Sequence, residues 1–187
     1  DHVLLYNNRG GAYAELGQYQ SAFADFNKAI SLMPDYAGSY KCRGVVYFKI
    51  GQYHNAINDF STSIRIKPTD ATTYNYRGIA YAKLGQLQLA MTDFYKTISI
   101  NPDFQEPYVN IAVIYGQHNQ YDNVIKNLSE AIRLQPNSAL LYYNRGFAYA
   151  KTQKYSAAIN DLDKAIIQKN DYTDAYNTRA AVYLNQH

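Results

Sequence analysis

Apolar and small residues recur along this chain at helical spacing, and the pattern itself returns every 34 residues. The third copy opens Ala71-Thr72-Thr73-Tyr74-Asn75-Tyr76-Arg77-Gly78-Ile79-Ala80-Tyr81-Ala82-Lys83-Leu84-Gly85. Tyr74, Gly78 and Tyr81 are separated by four and three positions, which places them on one helix face. Gly17, Gly51 and Gly85 then stand where a left-handed residue ends a helix at least cost. A second helical series follows: Ala22, Ala56, Ala90 and Ala158, then Phe26, Phe60 and Phe94, then Ile30, Ile64, Ile98, Ile132 and Ile166. Pro34, Pro68, Pro102 and Pro136 close it, because proline lacks the N–H and its ring opposes continuation. Asp35, Asp70, Asp103 and Asn137 come next and are expected to cap the following helix.

A fixed period of this length means stacked supersecondary units and not one closed core. Complete repeats are expected over 3–36, 37–70, 71–104, 105–138 and 139–172, with a half repeat, a first helix only, over 173–187. The chain 1–187 is thus expected to form one array of helix pairs, all-α, with no strand. It opens at the threshold of a repeat and stops inside one, the expectation for a piece of a longer chain.

Numbering each repeat from 1, the third copy carries Tyr74, Gly78, Tyr81, Ala90, Phe94 and Pro102 at positions 4, 8, 11, 20, 24 and 32. This framework at period 34 resembles the tetratricopeptide repeat, over essentially the whole chain. The resemblance implies an α-α superhelix, a right-handed solenoid of antiparallel helix pairs. In it the first helix of each repeat (helix A) lines a concave groove and the second (helix B) covers the back. Small residues at positions 8 and 20 let the two helices approach, while rings at 4, 11 and 24 fill the space between repeats. Most of the tyrosines fall on positions 4, 11 and 17, so the aromatic content reads as architecture and not as a stacking platform. Repeat 4 departs most, with Ala112, His118, Asn119, Val124 and Leu128 at framework positions; repeat 5 has Gln153, Leu162 and Asn170.

Position 7 holds Arg9, Arg43, Arg77, Arg145 and Arg179, and position 23 holds Asp25, Asp59, Asp93 and Asp161. Repeat 4 loses both, with Ile111 and Asn127. In a hairpin turning near position 16 these two positions lie at similar heights, so we expect an Arg–Asp pair inside each repeat that keeps both residues. Such a pair fixes register more than it adds stability. With Asn119 at the turn, and the polar ring of His118 where the other repeats mostly carry Leu or Ile, repeat 4 is expected to be the least protected internal repeat.

Composition narrows the function. The formal charge of +3 is nearly balanced, and no Lys/Arg run exists, so neither nucleic acid nor an anionic membrane is expected as partner. No stretch has the ~18 apolar residues of a membrane span. No signal-peptide pattern is read at the start, and the compartment stays open. Cys42 is the single cysteine and has no local base. His2, His54, His118 and His187 are too scattered for metal ligation. Asn127-Leu128-Ser129 matches a glycosylation sequon but falls inside a helix B. No enzyme, cofactor or metal is expected.

Function should then lie in the groove. In the family this resembles, positions 2, 5, 6, 9, 12 and 13 of helix A face it. Position 9 reads Gly11, Val45, Ile79, Val113 and Phe147, a mostly apolar floor. Positions 5 and 6 contribute Asn7, Asn8, Lys41, Asn75, Asn110, Tyr143 and Asn144. Position 13 adds Lys49 and Lys83, which with Lys41 make a mildly basic stretch favouring an acidic peptide. An apolar floor with amide rungs suits an extended or helical peptide. The carboxylate clamp for chaperone tails is disfavoured, because Lys41 is followed by Val45, Tyr76, Glu106 and Asn110 at the other clamp positions. The leading reading is therefore a protein-interaction scaffold. A second is the substrate-recruiting arm of a larger enzyme, such as a glycosyltransferase with similar repeats. A third is self-association through Tyr176, Ala180 and Tyr183 at the repeat 6 end.

Overall fold

The computed structural model describes residues 2–186. Eleven α-helices and no strand are found among them. Two compact units divide the chain, Asp1–Asn101 and Pro102–His187. The first contains α1 (His2–Glu15), α2 (Tyr19–Leu32), α3 (Ala37–Lys49), α4 (Tyr53–Ile66), α5 (Ala71–Lys83) and α6 (Leu87–Ile100). The second contains α7 (Gln105–Gln117), α8 (Tyr121–Leu134), α9 (Ala139–Lys151), α10 (Tyr155–Gln168) and α11 (Thr173–Leu184).

In the first unit α1 packs on α2, α3 on α4 and α5 on α6, and α1, α3 and α5 also touch in sequence. In the second unit α7 packs on α8, α9 on α10, and α11 rests on α10 and α9. This is the α-α solenoid architecture. None of these helices exceeds 14 residues, and among the described residues none is long and apolar enough to cross a membrane.

The small-residue positions explain why each pair is so close. Ala22, Ala56, Ala90 and Ala158 have no accessible surface, and Phe26, Phe60 and Phe94 have almost none. Each phenylalanine lies against the glycine at position 8. A Cβ on Gly44 or Gly78 would stand 2.7 Å from the ring of Phe60 or Phe94, and one on Gly10 would stand 2.9 Å from Phe26. Glycine at position 8 is therefore the space the ring occupies.

The turns follow the left-handed expectation, with φ +73° at Gly17, +77° at Gly51 and +73° at Gly85. Asn119 and Gln153 adopt the same region at φ 57° and 58° without glycine's freedom. Two sequence expectations need correction. Of the four residues expected to cap, only Asp70 does so, accepting from the Thr72 N–H at 3.1 Å. Asp35, Asp103 and Asn137 sit one residue too early, because the cap positions are Tyr36, Phe104 and Ser138, whose side chains accept no capping bond. Proline is also not what stops helix B by itself. α10 ends at Gln168 with an extended Lys169 (φ −141°, ψ 95°), although Asn170 replaces the proline.

Candidate functional site

The first helices carry two distinct rows of polar side chains, one turned into the hairpin and one along the surface expected to form the groove. The inward row is the arginine at position 7. Arg77 Nε and Nη2 donate to Asp93 Oδ2 and Oδ1, both at 2.8 Å. The same two-pronged arrangement joins Arg43 to Asp59 (2.7 and 2.7 Å) and Arg145 to Asp161 (2.6 and 2.9 Å). Arg9 meets Asp25 at 2.7 Å through both prongs, and this bond holds the Asp25 carboxyl below the usual carboxylate range. Such forked, charge-assisted bonds are the strong ones. The guanidinium also lies over tyrosine rings of its own helix, with Arg77 Cζ 5.6 Å from the centre of Tyr74 and 5.8 Å from that of Tyr81.

Sequence reasoning missed the third bond of these arginines. Arg43 Nη1 donates to Asn27 Oδ1 at 2.6 Å, Arg77 Nη1 to Ser61 Oγ at 3.0 Å, and Arg145 Nη1 to Ser129 Oγ at 3.0 Å. Arg179 Nη1 donates to Asp163 in the same way. All four acceptors sit at position 25 of the preceding repeat, so Arg43, Arg77 and Arg145 each tie their own hairpin to the one before it, and Arg179 ties α11 to α10. The acceptors at position 25 vary between Asn, Ser and Asp, with Tyr95 there in the third repeat, and that variety hid the series. All of this is scaffold.

The groove-side residues divide by what they already touch. Lys41 Nζ donates to Asp70 Oδ2 at 2.9 Å and Lys49 Nζ to Glu15 Oε1 at 2.8 Å. Two of the three lysines of the expected basic stretch are therefore neutralised within the chain; Lys83 has no carboxylate partner among the described residues. Asn7 turns inward, donating to Cys42 Sγ at 3.9 Å, while burial pushes the Cys42 thiol up. Asn75 is only 5% exposed, and its Oδ1 is buried without a hydrogen-bond partner. Neither works as a free rung. Asn8 is exposed, and Asn110 and Asn144 are half-buried. Tyr143 packs on Tyr172, ring centres 4.9 Å apart.

The apolar floor opens into a cleft in each unit. In the first unit a cleft of about 160 Å³ lies between Gly11, Ala14, Phe26, Cys42, Val45 and Tyr76, with Lys41 and Lys49 at its edge. In the second a cleft of about 190 Å³ lies between Val109, Val113, Gly116, Leu128, Asn144 and Phe147. Both use positions 9, 12 and 24 of one repeat and positions 6 and 9 of the next. Val113 and Phe147 are 55% and 37% exposed, although both are large and apolar. Ile79 is half-buried and belongs to neither cleft. Among the described residues no three His, Cys, Asp or Glu side chains come together as metal ligands; His187 lies outside those residues.

A TPR repeat model matches residues 10–51, 44–85 and 114–153, and a tetratricopeptide repeat model matches residues 71–104. The chain belongs to the tetratricopeptide repeat family. Solved structures share the fold at low identity. YrrB, a TPR protein described as having an unusual peptide-binding site, is 23% identical with a TM-score of 0.77, over 94% of this chain and 90% of its own. The C-terminal part of a TPR repeat-containing protein from Cytophaga hutchinsonii is 21% identical with a TM-score of 0.84, over 96% and 71%. MamA from Desulfovibrio magneticus RS-1, from residue 41 to its end, is 17% identical with a TM-score of 0.80, over 92% and 98%. No curated protein sequence matches the chain. Tetratricopeptide repeats are protein–protein interaction modules, and that coarse role applies to this chain.

Proposed function

We propose that this chain is a scaffold that holds a segment of a partner protein along its helix A surface, over the floor formed by the position 9 residues. The observation that carries the reading is the exposure of Val113 and Phe147 beside a cleft in the second unit. Large apolar groups bordering a concavity, with a half-buried amide at Asn144, are the features of a surface awaiting a peptide. That YrrB is described as having a peptide-binding site agrees with this reading. The interrupted amide rungs, with Asn7 and Asn75 turned inward, give less support to an enzyme's substrate-recruiting arm.

The test is affinity capture of partners with the wild-type chain, with a Val113→Asp/Phe147→Asp variant, and with Ile167→Asp. Ile167 is 76% exposed on α10, a helix B, and serves as the control. Partners lost with the double variant and kept with the control are expected. Equal capture by all three would place binding elsewhere.

A further inference from the structure

The cleft in the second unit is lined by three residues at which repeat 4 differs from repeats 1 to 3, and they set its shape. In repeats 1 to 3 a phenylalanine ring at position 24 fills the seam over a glycine at position 8. Here Leu128 is shorter than the ring, Ala112 stands in place of the glycine, and Gly116 stands at position 12. A Cβ on Gly116 would meet only Val124 Cγ2, at 3.8 Å, so the space in front of it is open. Unfilled apolar space forfeits packing that a native core normally keeps. About 190 Å³ is below the ~300 Å³ where small-molecule sites begin, yet several times the ~30 Å³ share of one water. It is the size of one bulky side chain.

Charge then says which one. Lys151 Nζ lies 5.2 Å from the centre of the Phe147 ring, and Lys151 has no carboxylate partner among the described residues. The cleft in the first unit differs on this point, because both lysines at its edge are already bonded to Asp70 and Glu15. Asn144 lines the second cleft and makes no hydrogen bond among the described residues, so its amide is free to meet a peptide backbone. Resting on the groove reading above, we infer that the repeat 4 cleft takes the anchor residue of the bound segment. That anchor is a Leu, Ile, Met or Phe next to an Asp or Glu that meets Lys151.

The experiment pans a random peptide phage library on the intact chain and measures the enriched peptides, made synthetically, by fluorescence anisotropy. Enriched peptides should share a bulky apolar residue beside an acidic one. Gly116→Leu fills the cleft and should weaken them about tenfold, the scale of losing a buried anchor. Gly116→Ala, which the open space accommodates, should weaken them about threefold and keeps the test valid if the leucine variant misfolds. Lys151→Glu should weaken acidic peptides about threefold and leave versions with Gln in place of the acid nearly unchanged. Peptides that bind Gly116→Leu and Gly116→Ala as tightly as wild type, yet are lost in the Val113→Asp/Phe147→Asp variant, overturn the anchor and leave the groove reading standing. No enrichment at all overturns both.

Discussion

The third and fourth repeats close the same seam by different means. In the third, Arg77 grips Asp93 through both oxygens, and Phe94 presses its ring into the space left by Gly78. In the fourth, Ile111 is fully buried where the arginine would be, and Asn127 turns back on its own helix, donating to the Asn123 carbonyl at 2.9 Å. Ala112 and Leu128 replace the glycine and the ring there. Partners changed together, charge with charge and ring with gap. A buried ion pair and an apolar contact are thus alternative solutions of one packing problem, as expected where desolvation nearly cancels attraction. Ala112 and Leu128, the substitutes for the glycine and the ring, also line the cleft of the second unit.

The largest effect should come from breaking the pair on one side only. Asp93→Ala strands Arg77, whose side chain is 18% exposed, and should cost about 3–5 kcal/mol in urea unfolding. Installing the fourth repeat's arrangement, Arg77→Ile with Asp93→Asn, should recover most of that loss. A double variant as damaged as the single one would mean that the two arrangements are not interchangeable.

Next in size is the glycine–ring couple. Gly78→Ala forces the Phe94 ring to move and should cost about 1–3 kcal/mol. Adding Phe94→Leu should relieve part of it, giving a measurable coupling in the double-mutant cycle. Relief is expected to be partial. Gly146 already faces Leu162, and a Cβ there would still stand 3.0 Å from Leu162 Cγ and 3.2 Å from the Ala158 carbonyl.

The turns give a smaller contrast. Gly85 holds φ +73° at no steric cost, whereas Asn119 and Gln153 hold φ 57° and 58° against their side chains. Gln153→Gly should stabilise by about 1 kcal/mol, read as a rise in Tm. Asn119→Gly should gain less, because asparagine tolerates this region and Asn119 Oδ1 accepts from the Tyr121 hydroxyl at 2.9 Å. A larger gain at Asn119 would reverse the order.

Much of this was legible from the chain alone, and the reasons are physical. A strict period fixes which residues share a helix face, so the helices, their turns and the Arg77–Asp93 register could be reasoned out before any coordinates. What escaped depends on single side chains meeting across repeats. Ser61 and Asn27 share no residue type, so their common role as acceptors left no signature. Three of the four expected caps, Asp35, Asp103 and Asn137, were misplaced by one residue, a shift that spacing cannot resolve. Lys41 and Lys49 read as free charge because their carboxylates, Asp70 and Glu15, lie 29 and 34 residues away. The cleft was also hidden, since the open space in front of Gly116 depends on side chains from two repeats that no spacing connects.

The smallest effect concerns acid, and it separates the first repeat from the fourth. The Arg9 bond lowers the Asp25 carboxyl in the folded chain, so the unfolded chain binds that proton more readily. The resulting stability is present above about pH 4, where an unfolded aspartate is ionised, and is lost as pH falls through the lower folded value. Arg9 is 58% exposed, so solvent screening keeps the contribution small. Asp25→Asn should therefore lower Tm at neutral pH and flatten its decline on acidification below about pH 4. Some decline should persist, because Glu15 and Asp70 are also held low, Glu15 by the bond from Lys49, Asp70 by that from Lys41 against a larger opposing effect of burial. Asn127→Asp in the fourth repeat is the reverse probe: with Ile111 in place of the arginine, the new carboxylate gains no partner there, and the acid dependence should not steepen. A steeper decline in that variant would show that position 23 lowers a carboxyl without its arginine.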